Sequence, residues 1–466
     1  MDDEGTTAPV VVDDLRGLVR GTVATAADVG FEDARTVWNG MIDRRPLAVV
    51  RVGDEDDIAT AISYARTRGL PLAVRGGGHG VSGNGTVESG IVIDLGSLNE
   101  VEVDAAAATV RVGGGATISD VDQVTIPHGL AVPLGVISRT GVGGLTLGGG
   151  VGWLTRAHGL AADNLLEARV VTADGTRVVA GEAGDPELLW GLRGGGGNFG
   201  VVSSFTFRAH PLPDPVLAVN FVYGEPSWRQ ALTAWEEWTR DLPDAMQSII
   251  TVVTPPAFFG LGDDPVILVA LAWVSPDRAE GERLVEQLRA QAPPDGEETD
   301  TSGWVGWQSA VDPLVPWGSR AYWKNTSFDR LDDEVIDVIL RRGAEQRWVG
   351  TAFDIHHMGG AFARVAEEAT PFPARSARFW LNIYGFWTDA ADDAHHTAFV
   401  KGFAQDMAPF ATGGLYVNFM GHDDDTDWRA AALAVYGPDK LERLVALKRR
   451  YDPDNLFRLN HNIPPG

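Results

Sequence analysis

The sequence predicts an α+β protein of two lobes, and three observations carry that expectation. At 466 residues the chain exceeds one ordinary core and fits domains of about 100–200 residues each. Thirty of its 56 glycines lie between Gly76 and Gly200, whereas 12 of its 15 tryptophans follow residue 215. Short strand and helix patterns succeed one another without the regular alternation of a doubly wound sheet. The composition changes at Pro211-Leu212-Pro213-Asp214-Pro215. Prolines at that density disfavour both helix and central strand.

In the first lobe Asp54 is placed to cap a helix whose apolar positions Ile58, Ala61, Ile62 and Ala65 recur at helical spacing, with Gly69 as its stop. Strands are predicted at Leu70–Arg75, Ile91–Asp94, Thr109–Val112 and Gly200–Phe207, with a hairpin of Ala168–Thr172 and Thr176–Ala180. In the second lobe Trp228, Ala231, Leu232 and Trp235 mark an amphipathic helix. Leu331–Arg342 and Asp393–Met407 are further helices. Val266–Val274, Gly350–His357 and Arg378–Trp387 are strands, and the polar run from Pro293 to Asp300 is a loop.

Composition removes whole classes of chemistry. There is no cysteine, so disulfides, thiolate metal sites and cysteine nucleophiles are excluded. The net charge of −26 disfavours nucleic acid and anionic lipid as partners. Only Lys324, Lys401, Lys440 and Lys448 are lysines, and the acid is spread along the chain. Such a surface suits concentrated salt, where screening at about 1 M acts within roughly 3 Å, and it predicts a halophilic protein. No stretch is long and apolar enough to cross a membrane, and Met1-Asp2-Asp3-Glu4 lacks the features of a secretory signal, so a cytoplasmic location is expected.

Three glycine clusters stand out: Gly76–Gly83, Gly135–Gly152 and Gly194–Gly200. Gly78, Gly80 and Gly83 form a GxGxxG after a strand, but no helix can follow through Asn84-Gly85-Thr86-Val87. The match at Gly195, Gly197 and Gly200 has its elements in reversed order, and no glycine run ends in Lys-Ser or Lys-Thr. Rossmann and P-loop readings therefore fail. Backbone without a Cβ can still present N–H groups to an anion, so the clusters together point to one large phosphate-bearing cofactor.

Arg75-Gly76-Gly77-Gly78-His79, the run Ser138 to Leu154, Gly159 to Leu166, and Leu189 to Val202 with Gly194-Gly195-Gly196-Gly197 carry a specific family resemblance, as does Tyr451-Asp452-Pro453-Asp454-Asn455-Leu456-Phe457-Arg458. The chain from about Asn39 onward resembles the berberine-bridge-enzyme-like branch of the vanillyl-alcohol-oxidase superfamily, near the bacterial 6-hydroxynicotine oxidases. The resemblance implies a two-lobed PCMH-type FAD-binding domain over 39–213, an α+β substrate domain over 214–410 whose antiparallel sheet roofs the flavin, and a C-terminal segment over 411–466 that returns to the FAD-binding domain. It makes His79 the residue covalently linked to FAD. A second, cysteinyl link is impossible because Ile137 stands where that cysteine would be.

By the same resemblance Arg75, Gly76, Gly77, Gly78, Gly80 and Ser82 surround the pyrophosphate. Thr140, Gly141, Gly144, Gly150, Asp163 and Val202 match positions beside the flavin and adenosine. Asn460 and Asn462 belong to a tail near the isoalloxazine in which His461 departs from the family. Leu415-Tyr416-Val417-Asn418-Phe419 resembles the family's Tyr-x-Asn motif. In a strand Tyr416 and Asn418 would share a face, an arrangement suited to an active-site pair.

Alternation admits one of His356 and His357 inward and groups Asn382, Tyr384 and Phe386. No metal site is expected. Asp423-Asp424-Asp425 with Asp427 reads as a solvated loop, and Ala374 replaces the histidine of the family's Pro-Phe-Pro-His-Arg. The implied reaction is oxidation of an alcohol, sugar or amine by hydride transfer to flavin N5. Tyr416 is the first candidate base, with Tyr384, His356 and His357 behind it. Thr140 leans the acceptor toward dioxygen. A dehydrogenase or oxidative cyclase with another acceptor, and a flavin-binding protein without turnover, are the competing readings. The protein is expected to be a monomer or homodimer.

Overall fold

The computed structural model describes residues 12–350, 352–421 and 427–466, so Met1–Glu4 and the Asp423-Asp424-Asp425 run lie outside the described residues. Asp54 caps Glu55–Thr67 by accepting from the backbone N–H groups of Asp56 and Asp57, and Gly69 ends the turn at φ 64°. Ile58, Ala61, Ile62 and Ala65 are fully buried. The helix packs on a four-stranded sheet in the order Thr22–Ala24, Ala48–Arg51, Ile91–Asp94, Leu72–Arg75, whose last three strands are parallel. A second, antiparallel sheet runs Val101–Asp104, Thr109–Gly113, Val201–Arg208, Leu165–Val171, Arg177–Gly181.

A seven-stranded antiparallel sheet follows in the order Gly296–Asp300, Leu217–Tyr223, Val266–Trp273, Met246–Val253, Ala352–His357, Phe379–Trp387, Arg320–Phe328. The expected loop at Pro293–Asp300 is thus corrected to an edge strand from Gly296. A strand at an edge needs no apolar face, and Arg289 forks onto Glu297 at 2.6 and 2.9 Å to hold it. Trp228–Trp238, Asp333–Glu345 and Asp393–Met407 cover one face. Phe353, Ile355, Leu381 and Ile383 point into that helix-covered core, whereas Ala352, Tyr384 and Phe386 pack on the opposite side with Trp38 and Trp323. Two-residue alternation thereby gives the sheet one structural face and one face toward the first lobe.

The C-terminal helix Trp428–Tyr451 is broken at Gly437, φ 71°, before Pro438. Its Ala432, Val435, Leu444 and Leu447 join the core of the second sheet with Leu188 and Trp190. One of the four lysines, Lys448, is fully buried there. It pairs with Asp452 at 2.7 Å and donates to the carbonyls of Asn198 and Phe457. Removing one partner of such a pair costs about 3–5 kcal/mol, because the other charge stays buried.

Candidate active site

Between the first lobe and the open face of the seven-stranded sheet lies a cavity of about 400 Å³. Its floor is glycine backbone. A Cβ on Gly77 would fall 2.5 Å from the backbone nitrogen of Gly141, and one on Gly141 would fall 2.3 Å from that of Gly77. Two of the glycine clusters thus meet main chain to main chain, an approach closed to any larger residue. Gly76, Gly77, Gly78, Gly80, Ser82, Thr140, Gly141, Gly144 and Val202 all line the cavity. Asn460 and His461 line it from the tail, and the amide oxygen of Asn460 has no partner among the described residues. A cradle of bare backbone with an orphaned polar atom fits a large polar cofactor.

His79 also lines the cavity. Its ring stacks on Trp38, centroids 4.9 Å apart and planes 16° from parallel. Burial holds the imidazole down at about 4, so it is neutral at physiological pH and keeps a nucleophilic lone pair. Arg75 lines the cavity as well. Its guanidinium is spent on Asp94 at 3.0 Å and on the carbonyls of Thr36 and Ala34, bracing the loop from behind.

Gly150, Asp163 and Asn462 do not line the cavity. Asp163 instead takes both guanidinium nitrogens of Arg375 at 2.7 and 2.8 Å, tying Leu160–Asn164 to the Pro371–Arg375 loop. Asn462 is buried beside the fully buried Ile463. Gly150 contributes through its backbone N–H, which donates to the hydroxyl of Tyr416 at 3.0 Å.

Tyr416 and Asn418 do converge, though not on a strand. Val417–Phe419 is a 3₁₀ turn, a correction that traces to Asn325. That amide accepts from the Tyr416 N–H and donates to the carbonyls of Tyr416 and Phe419, which curls the segment. Asn418 Nδ2 then donates to the Tyr416 hydroxyl at 2.9 Å, and both side chains line the cavity. Burial pushes the phenol up to about 12, while the donors from Asn418, Gly150 and Val151 work against that rise. Gly148 makes room, since a Cβ there would fall 2.3 Å from Asn418 Oδ1.

On the sheet side Tyr384 and Phe386 line the cavity, and Asn382 is fully buried on the same face. His357 sits on the helix-covered face, 3.1 Å from Arg156 and edge-on to Trp235. His356 is on the cavity side of the strand but fully buried under Phe419 and outside the lining. The polar residue that does reach the cavity from that strand is Asp354, beside Ala352, and sequence reasoning missed it. The alternation that aims His356 at this face aims Asp354 there too. Burial raises the Asp354 carboxyl to about 6, against hydrogen bonds from Thr251 and Tyr384. Trp38 and Trp323 were also missed. Among the described residues no group of three metal-ligating side chains gathers.

A family model described as an FAD binding domain matches residues 46–181, and one described as berberine and berberine like matches 415–464. The chain is 30% identical over 460 residues to the (R)-6-hydroxynicotine oxidase of Paenarthrobacter nicotinovorans, covering 96% of this chain and 97% of that protein. An FAD-linked oxidoreductase of Dictyostelium discoideum is 28% identical, covering 92% of this chain and 91% of its own. Among solved structures, 6-hydroxy-D-nicotine oxidase from Arthrobacter nicotinovorans superposes with TM-score 0.84 at 26% identity, covering 96% of this chain and 98% of that one. A chitooligosaccharide oxidase shares the fold at TM-score 0.84 and 19% identity, covering 98% of this chain and all of its own.

Proposed function

The chain belongs to the berberine-like family of FAD-linked oxidoreductases, and on that premise we propose that it holds FAD through a single covalent bond to His79 and oxidises a small molecule with Tyr416 as proton acceptor. The flavin supplies the two-electron acceptor to which a substrate C–H hydride passes. The protein's part is to bind, orient and deprotonate. The paired glycine loops and the tail residue Asn460 suit the cofactor, and the neutral, stacked imidazole of His79 suits attachment.

The observation that carries the reading is convergence on one oxygen. The Tyr416 hydroxyl takes N–H donors from Gly150 and Asn418 at 3.0 and 2.9 Å while facing the cavity. Donors aimed at an oxygen favour its anion, which is what a phenol needs in order to accept a proton from a substrate O–H or N–H. Water is kept away by Phe372, Trp380 and Phe419, which pack against the Tyr416 ring. Thr140, small and lining the cavity, leaves room for dioxygen as the terminal acceptor.

The test is anaerobic mixing of the yellow protein with a panel of alcohols, amines and sugars. Bleaching by at least one member, reversed by air with release of peroxide, is expected. A protein that stays yellow with every member is a flavin carrier and not an oxidase.

A further inference from the structure

Strand register places Thr251, Asp354 and Asn382 side by side across three neighbouring strands of the roof. The row beside them on the cavity side is apolar or aromatic: Val253, Ala352, Tyr384 and Trp323. Among the described residues Asp354 is the one carboxylate lining the cavity, and its side chain keeps 13% of its exposure. A carboxylate in such a wall needs charge compensation as well as hydrogen bonds. Thr251 and Tyr384 supply neutral donors only. Two candidate cations do not serve. Arg75 is committed to Asp94, and His356, 3.9 Å away, is held neutral by burial.

The surroundings also limit what could bring the missing charge. Apart from Asp354 and its two partners, the sheet offers the cavity Asn220 and the indole N–H of Trp323, which has no partner among the described residues. A sugar carries a hydroxyl on nearly every ring carbon and would leave most of them unpaired here. Trp323, Tyr384 and Phe386 pack with centroids 4.8 to 5.8 Å apart, and aromatic faces attract a cation as well as an apolar body.

We propose that Asp354 determines specificity in the substrate half of the cavity, and that the substrate is a compact amine whose protonated or N–H nitrogen meets the Asp354 carboxylate while its aromatic or alicyclic body lies against Trp323, Tyr384 and Phe386. This rests on reading the cavity as the active site of an FAD-linked oxidoreductase. The amine's charge neutralises the carboxylate, and its position sets the carbon next to nitrogen apart from the rest of the body. No group on the sheet other than Asp354 supplies that discrimination.

The experiment uses FAD-loaded protein, mixed anaerobically with arylalkyl and cyclic secondary amines, their matched neutral alcohols, and cellobiose. Dissociation constants are read from the perturbation of flavin absorbance. Amines should bind about 10- to 100-fold more tightly than their alcohols. Asp354→Asn should lose that margin, and Asp354→Glu should restore part of it. Equal affinity for amines and alcohols in the unaltered protein, tighter binding of cellobiose, or an Asp354→Asn variant that keeps the amine preference overturns the proposal. Protein that takes up no FAD contradicts the functional reading itself. FAD-loaded protein without amine preference contradicts only this inference.

Discussion

Trp38 lies flat against His79, ring planes 16° apart and centroids 4.9 Å apart, although the two residues come from separate segments. Trp38 is also fixed on every other side. Its backbone N–H donates to Gly78 at 3.0 Å, its indole N–H to the Val315 carbonyl at 3.0 Å, and its rings meet Trp323 and Phe386 at 5.7 and 5.9 Å. The stack holds the imidazole in one plane, so it should govern how readily His79 attacks the flavin. An aromatic pair contributes about 0.5–1.5 kcal/mol, or roughly a 2- to 13-fold change in rate. Trp38→Ala is expected to slow covalent FAD incorporation into apoprotein by that factor, and Trp38→Phe to restore most of it. The flavin retained in acid-precipitated protein over time measures both.

Tyr416 carries the proton in this account. Tyr416→Phe should keep its flavin and lower the anaerobic rate of flavin reduction by about 10²- to 10⁴-fold. Asn418→Ala removes one of the donors that favour the anion and should lower it about 10-fold or more. Because burial holds the phenol up near 12, its basic form grows as pH rises. The logarithm of kcat/KM should therefore climb through the alkaline range in the unaltered protein, and this limb should vanish in Tyr416→Phe.

Gly148 tests the same pair from behind. A Cβ there would overlap the Asn418 amide at 2.3 Å, with the carbonyl of Leu145 holding that amide at 3.0 Å from the other side. Gly148→Ala is expected to push Asn418 off the Tyr416 hydroxyl and to reproduce the slow flavin reduction of Asn418→Ala. Unchanged reduction kinetics would show that the hydrogen bond does not matter.

Asp122 gives a pH dependence unconnected with catalysis. It is buried between the lobes, its Oδ2 has no partner among the described residues, and burial raises its carboxyl to about 7. The folded protein therefore holds a proton that the unfolded chain, near 3.8, releases. Stability from this site is complete below about pH 4 and is lost as pH rises through 7, by up to about 4 kcal/mol. Asp122→Asn should raise the denaturation midpoint at both pH values, and by about two to three times as much at pH 8 as at pH 5. Urea titrations of both proteins at the two pH values measure this.

Local signals carried much of the fold. Ile91–Asp94 and Asp393–Met407 occur with the expected bounds, and Asp54 caps the helix whose apolar spacing announced it. What escaped was set by distant partners. Glu297 looked like loop because an edge strand shows no apolar period, and the turn at Val417–Phe419 depends on Asn325, about 90 residues earlier. At the site, the motif residues around Gly77 and Gly141 could be read because their lack of side chains is itself the signal. Arg75 and Asp163 sit in those motifs but pair with Asp94 and Arg375, which no spacing reveals. Asp354 shares the two-residue alternation of His356, but a lone carboxylate between Phe353 and Ile355 belongs to no motif. Trp38 belongs to no motif.

The central claim is a flavin tethered by one imidazole. Acid precipitation of the purified protein tests it most directly, since a covalent flavin stays with the denatured chain and a bound one is washed out. The pellet of the unaltered protein should remain yellow, and that of His79→Ala should be colourless with FAD in the supernatant. A colourless pellet from the unaltered protein, or a yellow one from His79→Ala, would contradict the account.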